Sequence, residues 1–169
     1  MQTIDRLDAE ILRILTLDAR TGVAEMATEL GVSRNTVQLR LRKLEDTGVL
    51  RGFRPIIDFS AIGAPISALI SVELDQRQLR EIVDGLARIP EILEVKIQAG
   101  REDVLVSVAI ASLEALQDLT AQIVAIGGVR KTTSTFSVST PVPFRAQPLL
   151  DKITGPSGWG RSTPAPQLR

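Results

Sequence analysis

Arginine, asparagine and glutamine side chains recur at helical spacing early in this chain, and these side chains are suited to bind nucleic acid. Arg34, Asn35, Gln38 and Arg42 fall on one face of a predicted helix. In a major groove, arginine bonds guanine, and asparagine or glutamine bonds adenine, while arginine also pairs with phosphate. The pattern therefore predicts a surface that contacts DNA. An ordinary helical hairpin with a solvated charged face is the alternative that the pattern leaves open.

A glycine turn and a polar cap are expected to hold this helix in place. Gly31 supplies the permissive backbone of the turn, and the hydroxyl of Ser33 can accept a free amide of a helix that begins near Arg34. The side chains of this helix that we expect to be buried are Val37, Leu41 and Leu44. Gly48 ends the helix, and the alternation over residues 49–54 predicts the start of a hairpin wing.

Positive charge is concentrated on the same element, although the whole chain has a formal net charge of +0. Basic side chains outnumber acidic ones in residues 34–54, whereas acidic side chains outnumber basic ones in residues 1–30. This distribution is typical of a surface that faces phosphate. The candidate DNA-binding residues are Ser33, Arg34, Asn35, Thr36, Gln38, Arg40, Arg42 and Arg51. Among them, Arg40, Arg42 and Arg51 are expected to contact mainly phosphate.

The composition argues against an enzyme. Cysteine and histidine are both absent, which removes disulfides, thiol nucleophiles, the commonest zinc and haem ligands and the commonest general base. We therefore expect no catalytic residues, no metal and no cofactor. The N-terminal residues lack a signal-peptide pattern, and no apolar run is long enough to span a membrane. The expectation is a cytoplasmic protein that does not bind membranes.

Two small domains fit the hydrophobic periodicity better than one. Helices are predicted from a cap at Asp5 to about Leu17, over 24–30 and over 33–46, which with the wing make a winged helix-turn-helix domain with a linking strand in residues 1–58. Residues 59–140 follow a βαββαβ order, the ferredoxin-like arrangement, so the fold class is α+β. Its strands are predicted at 66–74, 92–98, 104–110 and 129–139, and its helices at 76–89 and 112–126.

The sheet of the second domain has one face that is free to meet another copy. A bare apolar face is self-complementary, so we expect a homodimer or a higher homo-oligomer. One helix-turn-helix covers only a half-site, and the DNA partner is therefore expected to be an imperfect palindrome.

Residues 141–169 are rich in proline and glycine and lose all periodicity, which favours a disordered tail. One docked turn at Leu149, Leu150 and Ile153, and a Trp159 that anchors on a partner subunit, are the alternatives.

One set of residues in the first domain carries a resemblance to a known family: Ile4-Asp5, Asp8, Ile11-Leu12, Leu15, Asp18-Ala19-Arg20, Gly31-Val32-Ser33, Val37, Arg40, Leu44-Glu45 and Gly48-Val49-Leu50. With these residues the domain resembles that of the Lrp/AsnC transcription regulators of bacteria and archaea. The match continues through Ile57-Asp58 and Ile62-Gly63 and covers residues 4 to about 140. The resemblance implies that the third helix enters the major groove. It also implies that the second domain dimerises and binds a small effector, typically an amino acid.

The family's effector site carries a Gly-x-aromatic-Asp pattern in a hairpin of the second domain. Here the pattern reads Gly100-Arg101-Glu102-Asp103, so glycine and aspartate match and Glu102 replaces the ring. The resemblance adds the hydroxyls of Thr132 and Ser134, and the charge of Glu102 favours a neutral or basic effector over an acidic one. The alternative is that Gly100 and Asp103 merely form a tight turn.

Two other functions remain open at this point. An architectural DNA-binding protein would need no effector. The second is an enzyme, because sirohaem decarboxylases have a similar two-domain layout. Those enzymes are expected to use histidine, which this chain lacks.

Overall fold

The computed structural model describes residues 4–155 and 157–159. In these ranges the helices are α1 (Arg6–Leu17), α2 (Val23–Leu30), α3 (Arg34–Asp46), α4 (Leu79–Leu86), α5 (Leu113–Val124) and α6 (Gln147–Thr154). The strands are β1 (Ile66–Leu74), β2 (Ile92–Ile97), β3 (Val104–Ile110) and β4 (Val129–Phe136). None of the helices in the described ranges has the length and apolar character needed to cross a bilayer. The chain divides into two compact units, Met1–Pro55 with Val142–Arg169, and Ile56–Pro141.

Helix α1 begins at a capping box. The side chain of Asp5 accepts a hydrogen bond from the amide of Asp8 at 3.0 Å, and the side chain of Asp8 accepts one from the amide of Asp5 at 3.2 Å. Both bonds satisfy amides that have no partner within the helix. The buried side chains that form the core of the first unit include Leu7, Ile11, Ile14, Met26, Leu30, Val37 and Leu44.

The turn between α2 and α3 forms as the sequence predicts. Gly31 has a φ of 64°, a left-handed conformation that favours glycine. The Ser33 hydroxyl accepts the amide of Thr36 at 3.0 Å and so caps α3. The amide of Leu50 donates to the carbonyl of Leu44 at 2.9 Å after α3 ends. The predicted helix-turn-helix is confirmed.

The segment after α3 does not form the expected wing. Residues 51–58 carry no strand pairing within this chain and are exposed. Gly52 has a φ of 131°, which interrupts the extended run, and Pro55 has no amide to donate to a ladder. The described residues therefore contain no hairpin wing, and the linking strand stays a prediction.

The tail contains a helix where disorder was expected. Helix α6 packs against α1, with Thr154 buried and Leu150 half-buried. Pro148 lies in the first turn of α6, where a missing amide costs no helical hydrogen bond. Trp159 packs against the core of the first unit. Disorder was therefore the wrong expectation for this part of the tail, whereas residues 160–169 lie outside the described residues.

Trp159 also lies against the start of α1. The guanidinium carbon of Arg6 is 5.0 Å from the centre of the Trp159 ring, within the range of a cation–π contact. Thus Trp159 contacts its own chain, in contrast to the partner subunit considered above.

The second unit is a four-stranded antiparallel sheet of order β2-β3-β1-β4. Ile70 of β1 lies opposite Val106 of β3 on one side and Ser134 of β4 on the other. The buried side chains between the sheet and helices α4 and α5 include Ile70, Val72, Val104, Val106, Ile82, Leu86, Leu119 and Ile123. The predicted βαββαβ order is confirmed.

The opposite face of the sheet is less apolar than expected. Strand alternation and register place on it Leu69, Ser71, Leu105, Ser107, Thr133 and Thr135. Leu69 is 43% exposed. Hydroxyl side chains therefore outnumber apolar ones on this face.

Candidate DNA interface and effector cavity

The predicted base-contacting residues lie together on the solvent face of α3. Arg34, Asn35, Gln38 and Arg42 are all exposed. Val37 and Leu44 are completely buried on the opposite side of the helix. Because the helix is anchored on one side only, its polar face can enter a groove without disturbing the core.

Ser33 and Thr36 have a structural role at the start of α3. Their hydroxyl oxygens are 2.8 Å apart, and Ser33 also accepts the Thr36 amide. These hydroxyls fix the first turn of the helix that presents Arg34 and Asn35. Arg51 is exposed beyond the end of α3.

Arg40 does not face solvent with the other basic residues. Its Nη1 atom donates to the carboxylate of Asp5 and, at 3.1 Å, to that of Asp8. Lys43 Nζ lies 3.1 Å from Asp8 Oδ2, and Asp8 is completely buried. We call Asp5, Asp8, Arg40 and Lys43 the ionic cluster. The expectation that Arg40 contacts mainly phosphate is corrected, because its guanidinium is bound to α1.

Burial and the carboxylates of the ionic cluster act on the pKa of Arg40 in opposite directions. Burial lowers the pKa of the Arg40 guanidinium, but the hydrogen bond with Asp5 and the charges of Asp8 and Asp5 outweigh burial, so its pKa is raised above the ordinary value. The guanidinium is therefore permanently charged, and it ties α3 to the N-terminus of α1.

Sequence reasoning missed the part that Asp8 and Lys43 play in this cluster. The spacing of Asp5 and Asp8 indicated a helix start, which is a local feature. The ion pairs join residues more than thirty positions apart, and no local pattern specifies such a pairing.

A cavity of about 400 Å³ lies at one corner of the second unit. It is lined by Glu73, Leu74, Asp75, Gln76, Arg77, Arg101, Asp103 and Arg130. The end of β1 with the turn that follows it, the loop before β3 and the start of β4 supply these residues, because antiparallel pairing brings the three positions together. Asp103 is the one predicted effector residue among them.

Asp103 holds the end of β1. Its Oδ2 accepts the amide of Leu74 at 2.8 Å, and its Oδ1 accepts the side-chain amide of Gln76. The bond from Leu74, and then that from Gln76, lowers the pKa of Asp103 below its ordinary value. The carbonyl of Asp103 accepts the amide of Gln98 at 2.8 Å, which closes the hairpin loop. The amide of Asp103 donates to the carbonyl of Val72 at 3.1 Å and not to Gly100, so this loop is not the tight turn of Gly100 and Asp103 considered above.

The other predicted effector residues do not line this cavity. Thr132 and Ser134 lie opposite Val72 and Ile70, and thus on the side of the sheet that packs against the helices. Because successive side chains of a strand point to opposite faces, the hydroxyls of Thr132 and Ser134 point toward the helices, and effector binding by them stays a prediction. A Cβ added to Gly100 would meet no atom within 4 Å, so no close approach requires this glycine.

The sequence did not single out the three arginine residues that line the cavity, Arg77, Arg101 and Arg130. Glu102 is not among the lining residues, so its charge gives no basis for excluding an acidic effector. Arg130 lies 3.7 Å from Asp75, whereas Arg77 and Arg101 make no ion pair in the part of the chain that the structure describes. The strand register that brings these arginines together could not be read from the sequence.

Both units of the chain match known domain families. Residues 4–45 match the AsnC-type helix-turn-helix domain, and residues 67–147 match the Lrp/AsnC ligand binding domain. Regulatory protein AsnC of Haemophilus influenzae is 31% identical over 144 residues, which are 84% of this chain and 96% of that protein. The two matches follow each other in the same order as the two predicted domains.

Solved structures share the fold of the chain. E. coli AsnC aligns with a TM-score of 0.77 and 27% identity over 87% of this chain and 100% of that one. A transcriptional regulator of Neisseria meningitidis in complex with L-Met aligns with a TM-score of 0.76 and 21% identity, over 83% of this chain and 94% of that one. At that lower identity, the second similarity concerns the fold alone. The two domain matches and the relative from H. influenzae show that the chain belongs to the Lrp/AsnC family of transcriptional regulators, with a DNA-binding and a ligand-binding domain.

Proposed function

We propose that this regulator recognises a specific double-stranded DNA operator through the solvent face of α3, and that an amino acid changes its operator affinity or its assembly. The observation that carries the DNA part is the exposed row of Arg34, Asn35 and Gln38 on a helix that the ionic cluster fixes to α1. Arg42 and Arg51 are exposed and supply phosphate contacts. Such a helix offers both base-specific and charge-based binding.

The functional unit is a homodimer or a larger homo-oligomer, and the operator is an imperfect palindrome. A single helix-turn-helix contacts one half-site, and two-fold symmetry in the protein matches two-fold symmetry in the DNA. Sedimentation of the protein at micromolar concentration tests this part. A monomer would contradict it.

The effector binds at the corner cavity, according to this proposal. Arg77 and Arg101 offer charged donors for the α-carboxylate of an amino acid. The carboxylate of Asp103 still has free lone pairs for an ammonium group after it has accepted Leu74 and Gln76. The complex of the Neisseria regulator with L-Met supports an amino acid as the chemical class.

Selection of bound duplexes from a random library tests the DNA part. The wild type should enrich one palindromic sequence. Replacing Asn35 or Gln38 by Ala should relax the preference at particular positions, with a loss on the order of 1–3 kcal/mol there. Arg88→Ala removes an exposed arginine from the second unit and is the matched control. Unchanged preferences in both α3 variants would contradict the proposed orientation of the helix.

Calorimetric titration with the standard amino acids tests the effector part. Arg101→Ala should abolish the binding heat, and Arg80→Ala, which removes an exposed arginine of α4, should preserve it. If both variants bound the amino acid equally, the effector site would lie outside the cavity. If no amino acid binds the wild type or alters its DNA binding, the effector-independent architectural function is favoured instead.

A further inference from the structure

Leu39 is an exposed leucine at the edge of the polar face of α3. Its side chain is 56% exposed, whereas Val37 and Leu44 on the other side of the helix are completely buried. Asn35 lies one turn before Leu39 and Arg42 lies one turn after it, and both are exposed. Leu39 therefore contributes little to the core of its own unit. Helical spacing places it beside Asn35, at one edge of the surface that the polar residues define.

The chemistry of the major groove supplies a partner for such a side chain. Each base pair presents hydrogen-bonding groups there, and thymine adds its C5-methyl group, which a side chain recognises by apolar contact. A polar residue at position 39 would select a hydrogen-bonding group instead. Burial of one methyl-sized group stabilises a complex by a factor of about four.

We propose that Leu39 is a specificity-determining residue that contacts the C5-methyl group of one thymine in each half-site. The inference rests on the proposed function of the α3 face. Asn35 and Leu39 are about 6 Å apart along the helix axis, and successive base pairs are about 3.4 Å apart. The thymine therefore lies within about two base pairs of the base that Asn35 contacts.

The test removes the methyl group from the DNA and the apolar side chain from the protein. Duplexes selected by the wild-type protein are synthesised with each thymine in turn replaced by deoxyuridine, which lacks only the methyl group. Binding is then measured for wild type, Leu39→Ala and Leu39→Gln. The control is Leu17→Ala, which shortens a 76% exposed leucine outside α3.

The expected result is a coupling between one thymine and residue 39. Wild type and Leu17→Ala should bind about fourfold more weakly when this thymine is replaced, and no other replacement should act as strongly. Leu39→Ala should bind the thymine operator about as weakly as wild type binds the deoxyuridine operator, with no further loss on replacement. Leu39→Gln should likewise fail to distinguish the two bases. Equal melting temperatures of all four proteins exclude a folding effect.

Two outcomes overturn the inference, and a separate one overturns the function on which it rests. If every thymine replacement affects wild type and Leu39→Ala equally, or if none affects wild type, Leu39 contacts no methyl group. In that case Asn35→Ala would still relax the preference of the selected operator, so α3 would remain the DNA-contacting helix. If Asn35→Ala also left the preference unchanged, the proposed function of α3 would fail with it.

Discussion

The guanidinium of Arg40, on α3, bonds the buried carboxylate of Asp8, on α1, with 3.1 Å between Nη1 and Oδ1. The other oxygen of Asp8 lies 3.1 Å from Lys43 Nζ and also accepts the amide of Asp5. One carboxylate thus caps α1 and binds two basic side chains of α3. A change at Asp8 should consequently affect the position of α3 without touching its solvent face.

Asp8→Asn should lower the free energy of unfolding of the first unit by about 2 kcal/mol, because it removes the charge and leaves two cations with a weaker partner. Trp159 is the only tryptophan of the chain and packs on this unit, so its fluorescence during urea unfolding reports the change. Asp46→Asn removes an exposed carboxylate at the end of α3 and serves as control. Equal unfolding midpoints for the two variants would contradict a stabilising role of the cluster.

Arg40→Ala should change the stability of the protein, whereas Arg42→Ala should change the salt dependence of DNA binding. Arg42 is exposed and expected to neutralise one phosphate, so its removal should reduce the slope of log K against log salt by about 0.9 per half-site and leave the melting temperature unchanged. Removal of Arg40 should instead lower the melting temperature, since it leaves Asp8 buried with fewer partners. Salt titrations of operator binding and thermal unfolding distinguish the two. If both variants reduced the slope of log K against log salt by the same amount, Arg40 would contact phosphate as Arg42 does.

Trp159→Ala should destabilise the first unit by about 1–2 kcal/mol, because the ring is partly buried and lies against the Arg6 guanidinium. Thermal unfolding followed by circular dichroism measures the loss. Phe144→Ala removes an aromatic side chain that is 95% exposed and should have no effect. A Trp159 variant as stable as wild type would show that the tail does not contribute to this unit.

The contacts of Asp103 should make the end of β1 sensitive to acid. Its folded pKa is lowered, so its stabilising contribution is present above the unfolded pKa of about 4 and is lost as pH falls through the folded pKa. Hydrogen exchange at the Leu74 amide should therefore be slow relative to the intrinsic rate above about pH 4, and this protection should fall at lower pH. Asp103→Asn should remove this pH dependence, whereas the exposed Asp118→Asn should retain it. Acid-independent protection in the wild type would contradict the assignment.

Features encoded by neighbouring residues were predictable from the sequence. Gly31 and Ser33 determine the turn and the cap of α3 through local backbone and hydroxyl chemistry, and both were predicted correctly. Strand and helix order in the second unit followed from hydrophobic periodicity for the same reason. Binding of DNA by the candidate residues other than Arg40 stays a prediction.

Features that depend on long-range pairing were not predictable in this way. The partner of Arg40 lies on another helix, and the side of the sheet on which Thr132 and Ser134 lie is set by their register with β1. Proline content indicated disorder in the tail, but packing against α1 stabilises α6 despite Pro148. Tertiary contacts outweighed local propensity at each of these positions.

Helix α6 and Trp159 have a consequence for the synthesis of the protein. Domains generally fold in the order in which they leave the ribosome. Here α1, α2 and α3 emerge first, yet the segments that complete their unit emerge only after all four strands have been made. The nascent helix-turn-helix unit therefore lacks these packing contacts until α6 and Trp159 have been made. Chains released before residue 147 carry a helix-turn-helix without those contacts, and they should be preferred substrates for proteases that remove incomplete products.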